Sequence, residues 1–234
     1  MVETFIPTYN VILCNWQNQA STGELGTVLG YVPAARNTAS VGVLLGGAIA
    51  RLVRAGLVLA RIILAGFSLG AHLMGYAGRE VLRILGQLIP RIIGLDPAGP
   101  LFYSVLRGLD AASAAFVVII HTDRVLGTTV YTAGTADIVV NCIRPLQPGC
   151  VDATDGTTAI TCSHNRSWRV FCDAVRRPGT LIAIQAPSCL LCTIVAGSAT
   201  IDMGDLTSTS ARGTYYLGTN PEPPYGQGEQ GYCF

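Results

Sequence analysis

The feature that most constrains this chain is the pentapeptide Gly66-Phe67-Ser68-Leu69-Gly70, set between the apolar run Ile62–Ala65 and a helical stretch that opens with Ala71-His72. A G-x-S-x-G at a strand-to-helix junction demands a reversal of direction within very few residues. Only a strained backbone achieves that, and it lifts the Ser68 hydroxyl clear of the sheet. The next backbone N–H, that of Leu69, then points where an oxyanion would develop. Glycines two before and two after leave room for the neighbouring chain. The pentapeptide alone is common as a small-residue turn with an incidental serine. Its strand–turn–helix context favours the nucleophile reading.

Short apolar runs and helical periodicities alternate around this point. Tyr9–Cys14 reads as a strand, residues 17–35 as turn-rich, and Thr38–Ala55 as a helix with Arg54 and Gly56 at its stop. Leu57–Ala65 reads as a buried strand, Ala71–Leu88 as a helix, Ile92–Leu95 as a strand ended by Asp96-Pro97, and Phe116–His121 as a further strand. From Thr122 to Trp168 the chain reads as loops, followed by a short helix over Ser167–Val175. A last strand is expected at Arg212–Tyr216, before a Pro-rich exit from Asn220. Continuous apolar strands alternating with helices predict an α/β fold, a mostly parallel sheet covered by helices on both faces. With no internal repeat or linker, residues 1–234 form one expected domain.

Composition narrows the function. Half of the residues are hydrophobic and only 12% are charged, which excludes global disorder. A net charge of +1, with all 15 basic residues arginine, carries no nucleic-acid footprint. Mean hydropathy is +0.46, yet the longest uncharged run, Pro178–Ile201, contains Gln185 and Pro187 and reads as buried strand and loop rather than a spanning helix. No apolar leader follows Met1-Val2-Glu3-Thr4. Eight cysteines, at 14, 142, 150, 162, 172, 189, 192 and 233, have no histidine cluster at zinc spacing, so a disulfide-bearing extracellular protein is expected.

An elbow serine needs an acid and then a histidine, in that order along the chain. Asp96 directly follows Ile92–Leu95, at the strand end where such sites assemble. Its alternative role is a turn aspartate before proline. His164 is the last of three histidines and stands late enough to be the base. His72 and His121 lie in apolar neighbourhoods and read as structural.

These residues resemble the pancreatic lipase family. The similarity runs from about Tyr9 to Gly228, through Gly66–Arg79 (GFSLGAHLMGYAGR), Ile92–Phe102 (IIGLDPAGPLF), Ile120–Asp123 (IHTD), Arg144–Cys150 (RPLQPGC), Cys162–Trp168 (CSHNRSW) and Met203–Gly228. The resemblance implies an α/β-hydrolase fold with Ser68 as nucleophile, Asp96 as acid and His164 as base. Leu69 would donate to the oxyanion, and no cofactor is involved. The family's usual elbow has histidine where Phe67 stands, a position expected to carry no chemistry. Cys150 and Cys162 match the pair that closes the family's lid. The loop between them, 151–161, and the loop 123–137 are both short, as in phospholipase A1 members and single-domain insect-type members. A lipid ester at an interface is the implied substrate, whether triacylglycerol, phospholipid or galactolipid, with no colipase-type partner and no C-terminal lipid-binding domain.

Some features depart from the family. No H-G-F/W segment is present to supply a second oxyanion donor, so the chain is expected to be N-terminally incomplete, with the first strands missing and the leader lost with them. The contrasting expectation is a catalytically weak lipase-like protein that binds lipid. The loop Leu106–Ser113 offers too few oxygen ligands for calcium, so no metal is expected. Asn165-Arg166-Ser167 is a glycosylation sequon, expected to stay unmodified beside His164. Cys189 could pair with Cys192, Cys172 or Cys233 on these grounds alone.

Overall fold

In a computed structural model the described residues are 9–21, 26–102, 105–128, 133–143, 146–151, 156–189, 191–192 and 197–232. Seven strands form one sheet: β1 (Ile63–Phe67), β2 (Arg91–Leu95), β3 (Phe116–His121), β4 (Ala136–Val140), β5 (Ile182–Gln185), β6 (Thr200–Asp202) and β7 (Gly213–Leu217), in the order β1-β2-β3-β4-β7-β5-β6. β1 to β4 and β7 run parallel, and β5 is antiparallel to both β7 and β6. The helices are α1 (Gln17–Ala20), α2 (Gly26–Arg54), α3 (Leu69–Leu85) and α4 (Gly156–Arg176). Among the described residues, no helix is long and apolar enough to cross a membrane.

The period-2 alternation of strand side chains sorts the core onto two faces. Ile93, Leu95, Phe116, Val118 and Ile120 point one way and pack against Val170, Phe171, Ala174 and Val175 of α4. Ile92, Val117 and Ile119 point the other way and pack against Ala71 of α3. Every residue of β2, β3 and β4 is buried, which explains why these runs are apolar without alternation. Outside α3, α2 adds a further layer. A Cβ on Gly42 would lie 2.5 Å from the Tyr76 Cβ, and one on Gly46 would lie 2.6 Å from the Ala77 carbonyl oxygen. These two glycines let the helices touch along their backbones.

The expected sheet with flanking helices is present, but several elements differ. Tyr9–Cys14 is irregular rather than a strand, with Ile12 and Leu13 81% and 68% exposed. A run of strand-like composition becomes a strand only where a neighbour completes its hydrogen-bond ladder. Residues 17–35 are largely helical, since α2 begins at Gly26 and carries Pro33 inside it. β4 falls in the segment expected to be loops. Its five residues are too short a run to show periodicity. α4 begins at Gly156 instead of Ser167, so the expected 151–161 loop is half helix; residues 152–155 lie outside the described residues. The disulfide Cys150–Cys162 ties this helix's second turn to the preceding loop, which offsets the weak helix propensity of its Thr, Ser and His residues. Cys189 pairs with Cys142 and with none of its three expected partners, because the segments that follow β4 and β5, on either side of β7, pack together around Val139 and Tyr216. Cys192 is disulfide-bonded as well, whereas Cys14 and Cys172 are free thiols.

Candidate active site

Three adjacent parallel strands end in register, so the residues that follow them meet at one edge of the sheet. Phe67 stands beside Leu95, and Leu95 beside Ile120. The Ser68 N–H donates to the Leu95 carbonyl at 3.0 Å and the Asp96 N–H to the Ile120 carbonyl at 2.7 Å. Ser68 and Asp96 are therefore anchored as one-residue extensions of the sheet, with side chains released beyond it.

Both residues hold positive φ, 54° for Ser68 and 43° for Asp96. For a residue with a side chain, such a conformation costs on the order of 1–3 kcal/mol and persists only where surroundings impose it. At Ser68 the surroundings are visible. A Cβ on Gly66 would sit 2.3 Å from the Gly70 carbonyl oxygen, so the strand and the first turn of α3 close only over glycine. A Cβ on Gly70 would meet nothing within 4 Å, so nothing in the structure explains that second glycine. Ser68 is the N-cap of α3, yet its side chain makes no capping hydrogen bond. Its hydroxyl is thus not spent on the helix. The N–H of Leu69, at the first helical position, has no acceptor within the helix.

α4 brings His164 to this edge. Its Nδ1 and Asp96 Oδ2 are 2.6 Å apart in a hydrogen bond that is almost completely buried. Asp96 Oδ1 accepts the N–H groups of Thr122 at 2.8 Å and Asp123 at 3.2 Å. Burial pushes the Asp96 carboxyl above its ordinary range, while the His164 hydrogen bond and the Thr122 N–H pull it back. The Phe67 ring, at the position expected to carry no chemistry, lies 4.6 Å from the His164 ring and packs the base against the residue before Ser68. A polar scaffold holds the backbone of His164. Its carbonyl accepts from Ser167 Oγ at 3.0 Å and Thr122 Oγ1 at 3.4 Å. The fully buried Gln147 donates to the carbonyls of Thr122 and Val140 and accepts from Asn141. Nothing local in the sequence marks Gln147, since an uncharged polar residue between prolines reads as loop.

The other two histidines lie elsewhere. His72 accepts the Leu109 N–H at Nδ1 and donates from Nε2 to the Ala98 carbonyl at 2.8 Å, with Phe102 stacked on its ring. Burial lowers its pKa to about 4, which keeps it neutral. His121 pairs with Asp137 at 2.8 Å inside the sheet.

Asp96, Asp123 and His164 bring possible ligand atoms within 4.8 Å of one another. Three of their four carboxylate oxygens are committed: Asp96 Oδ2 to His164, Asp96 Oδ1 to the N–H groups of Thr122 and Asp123, and Asp123 Oδ2 to those of Val125, Leu126 and Gly127. That donor set describes an acid–base cluster better than a cation site. In the 106–113 loop, the one carboxylate, Asp110, is held by Arg107 at 3.0 Å and faces Arg79 at 3.6 Å, a setting that repels cations. Asn165 of the sequon accepts from Trp168 Nε1 at 3.2 Å, and Ser167 is buried.

A protein-family model described as Lipase matches residues 1–225. Phospholipase A1 of Vespa crabro is 40% identical over 181 residues, 75% of this chain and 58% of the relative. Phospholipase A1 of Vespa velutina is 39% identical over 179 residues, covering 74% of this chain and 57% of the relative. Phospholipase A1 1 of Polistes dominula is 32% identical over 237 residues, 94% of this chain and 66% of the relative. The chain thus spans a little over half the length of the first of these curated relatives.

Proposed function

The chain belongs to the lipase family, and from that premise we propose that it is a serine hydrolase of lipid carboxylic esters working through Ser68, Asp96 and His164. The observation that carries this reading is the buried 2.6 Å bond between Asp96 and His164, at the sheet end that also carries an elbow serine whose hydroxyl caps nothing.

Asp96 holds the proton on Nδ1 of His164, leaving Nε2 as the base. Nε2 takes the Ser68 proton as Oγ attacks the ester carbonyl carbon. The tetrahedral oxyanion forms against the Leu69 N–H. The imidazolium then gives its proton to the departing alkoxide, and an acyl-serine remains. Water follows the same path in reverse: His164 takes its proton, the hydroxide attacks the acyl carbon, and Ser68 leaves reprotonated. Asp96 stabilises the imidazolium in both halves.

The substrate we infer is a phospholipid, cleaved as a phospholipase A1 would cleave it. The relatives carry that name, and Cys150 and Cys162 are only 12 residues apart, which leaves little lid over the acyl groove. Secretion fits the disulfides, which persist in oxidising compartments. The test is covalent labelling with a fluorophosphonate, comparing wild type with Ser68→Ala, followed by hydrolysis of phosphatidylcholine against triolein. Labelling of folded wild type alone is expected, with phosphatidylcholine the better substrate. Folded wild type that shows no Ser68-dependent labelling would instead mark a lipid-binding, catalytically weak member.

A further inference from the structure

The loop after β3 does more than lie near the acid. Asp123 is buried, and its Oδ2 gathers three consecutive backbone N–H groups, those of Val125, Leu126 and Gly127. One oxygen receiving three successive donors fixes the path of the chain from 123 to 127. That path turns the N–H groups of Thr122 and Asp123 onto Asp96 Oδ1. It also lays Gly127 flat against the acid. A Cβ there would lie 2.6 Å from Asp96 Oδ2 and 2.7 Å from both Cγ and Oδ1. The far end of the loop is stitched to the residues beyond Asp96. Gly99 N–H donates to the Leu126 carbonyl and Thr128 N–H to the Pro97 carbonyl, both at 2.8 Å. Asp96 is thus enclosed, with one oxygen held by backbone, the other by His164, and one face covered by glycine.

The second oxygen of Asp123, Oδ1, is buried without a hydrogen-bond partner among the described residues. Leaving a carboxylate oxygen so is costly, and such an arrangement persists where it serves something else. Its side chain shares a cluster under 4.8 Å across with Asp96 and His164. The groups facing His164 are Asp96 from the β2 loop, Asp123 from the β3 loop and the Phe67 ring from β1, with His121 near Asp96.

We propose that Asp123 is a positioning residue for the acid–base pair: its carboxylate folds the 122–127 loop around Asp96, with Gly127 as the only residue type that closes it, and adds a second negative charge beside the imidazole. This rests on the roles given above to Asp96 and His164. Because Asp123 acts through Asp96, its loss should alter the Asp96–His164 hydrogen bond itself, which a merely structural residue would not.

The test uses the full chain with Asp123→Asn, which preserves shape, and Gly127→Ala. Two readouts are followed: the far-downfield imidazole Nδ1–H proton by NMR, and the pH profile of fluorophosphonate labelling. Asp123→Asn should displace the downfield proton and slow labelling about tenfold, since the loop that seats Asp96 loses the charged acceptor of three of its N–H groups. Gly127→Ala should abolish the downfield proton and slow labelling about a hundredfold, the cost of displacing a reacting group by about 1 Å. Should Gly127→Ala not fold, Asp123→Asn decides alone. A folded Asp123→Asn with the wild-type downfield proton and labelling profile overturns the proposal. If wild type never labels but the downfield proton is present and shifts in Asp123→Asn, the hydrolase reading fails while the positioning role of Asp123 stands.

Discussion

Two buried histidine–aspartate pairs stand a strand apart in this molecule. His164 meets Asp96 at 2.6 Å and His121 meets Asp137 at 2.8 Å, and the side chains of both pairs are nearly sealed from solvent. By residue type the pairs are equivalent. Their settings differ. Asp96 lies one residue beyond β2, anchored at the sheet edge where β1 delivers Ser68, and its histidine arrives on α4. His121 is the last residue of β3 and Asp137 the second of β4, so both belong to the sheet itself, and Asp137 is further held by the Gly134 N–H at 3.1 Å. A residue one step beyond a strand presents its side chain to whatever follows the neighbouring strands, whereas a residue still paired in the ladder commits its side chain to a face of the sheet. The contrast predicts that one pair serves chemistry and the other stability.

The comparison can be broken most sharply at the first pair. Asp96→Asn should slow Ser68 labelling roughly 10⁴-fold, because the wrong imidazole tautomer then faces the serine, while the folded state survives. Labelling within tenfold of wild type would remove Asp96 from the proposed mechanism. The second pair should respond in the opposite sense. Asp137→Ala removes the buried carboxylate that His121 Nε2 and the Gly134 N–H share, and should destabilise the protein by about 3–5 kcal/mol in urea unfolding. Its labelling rate per folded molecule should stay within a few-fold of wild type. A large loss of labelling with little loss of stability would show that the second pair also serves the chemistry.

His72 sharpens the contrast with a histidine that has no carboxylate. Its folded pKa of about 4 lies below its ordinary 6.5, so the unfolded chain binds the extra proton between those values. Stability is therefore full above pH 6.5 and lost as pH falls to 4, by about 3 kcal/mol. His72→Gln should flatten that slope, and thermal unfolding from pH 7 to 4 compares the two proteins. Equal slopes would mean that His72 is not held neutral. The smallest effect concerns Phe67. Replacing it with leucine keeps apolar contact with the His164 ring and removes only the ring–ring contact, worth about 1 kcal/mol. Labelling should slow less than about tenfold.

Much of this was legible in the sequence, and the illegible parts share a cause. The elbow, the strand before Asp96 and the run Phe116–His121 are local signals. Periodicity and glycine placement report them without reference to distant residues. β4 is not legible in the sequence because five fully buried residues display no alternation. Tyr9–Cys14 read as a strand because composition cannot say whether a neighbour completes the ladder. Gln147, Asp123 and Gly127 carry no local signal of a role at the acid, because that role lies in partners 20 or more residues away, such as Gln147 with Thr122 at 25 and Asp123 with Asp96 at 27.

By itself, then, the sequence determined the strained serine turn, the order serine–aspartate–histidine and the alternation of apolar strands with helices. Each is set by backbone sterics and side-chain periodicity over a few residues. Only the tertiary structure decided that Asp96 and His164 meet, that Cys142 pairs with Cys189, and that Gly127 closes over the acid. Those outcomes depend on which strand ends share an edge, and a parallel sheet sets that through crossovers that bring residues far apart in the chain to the same end.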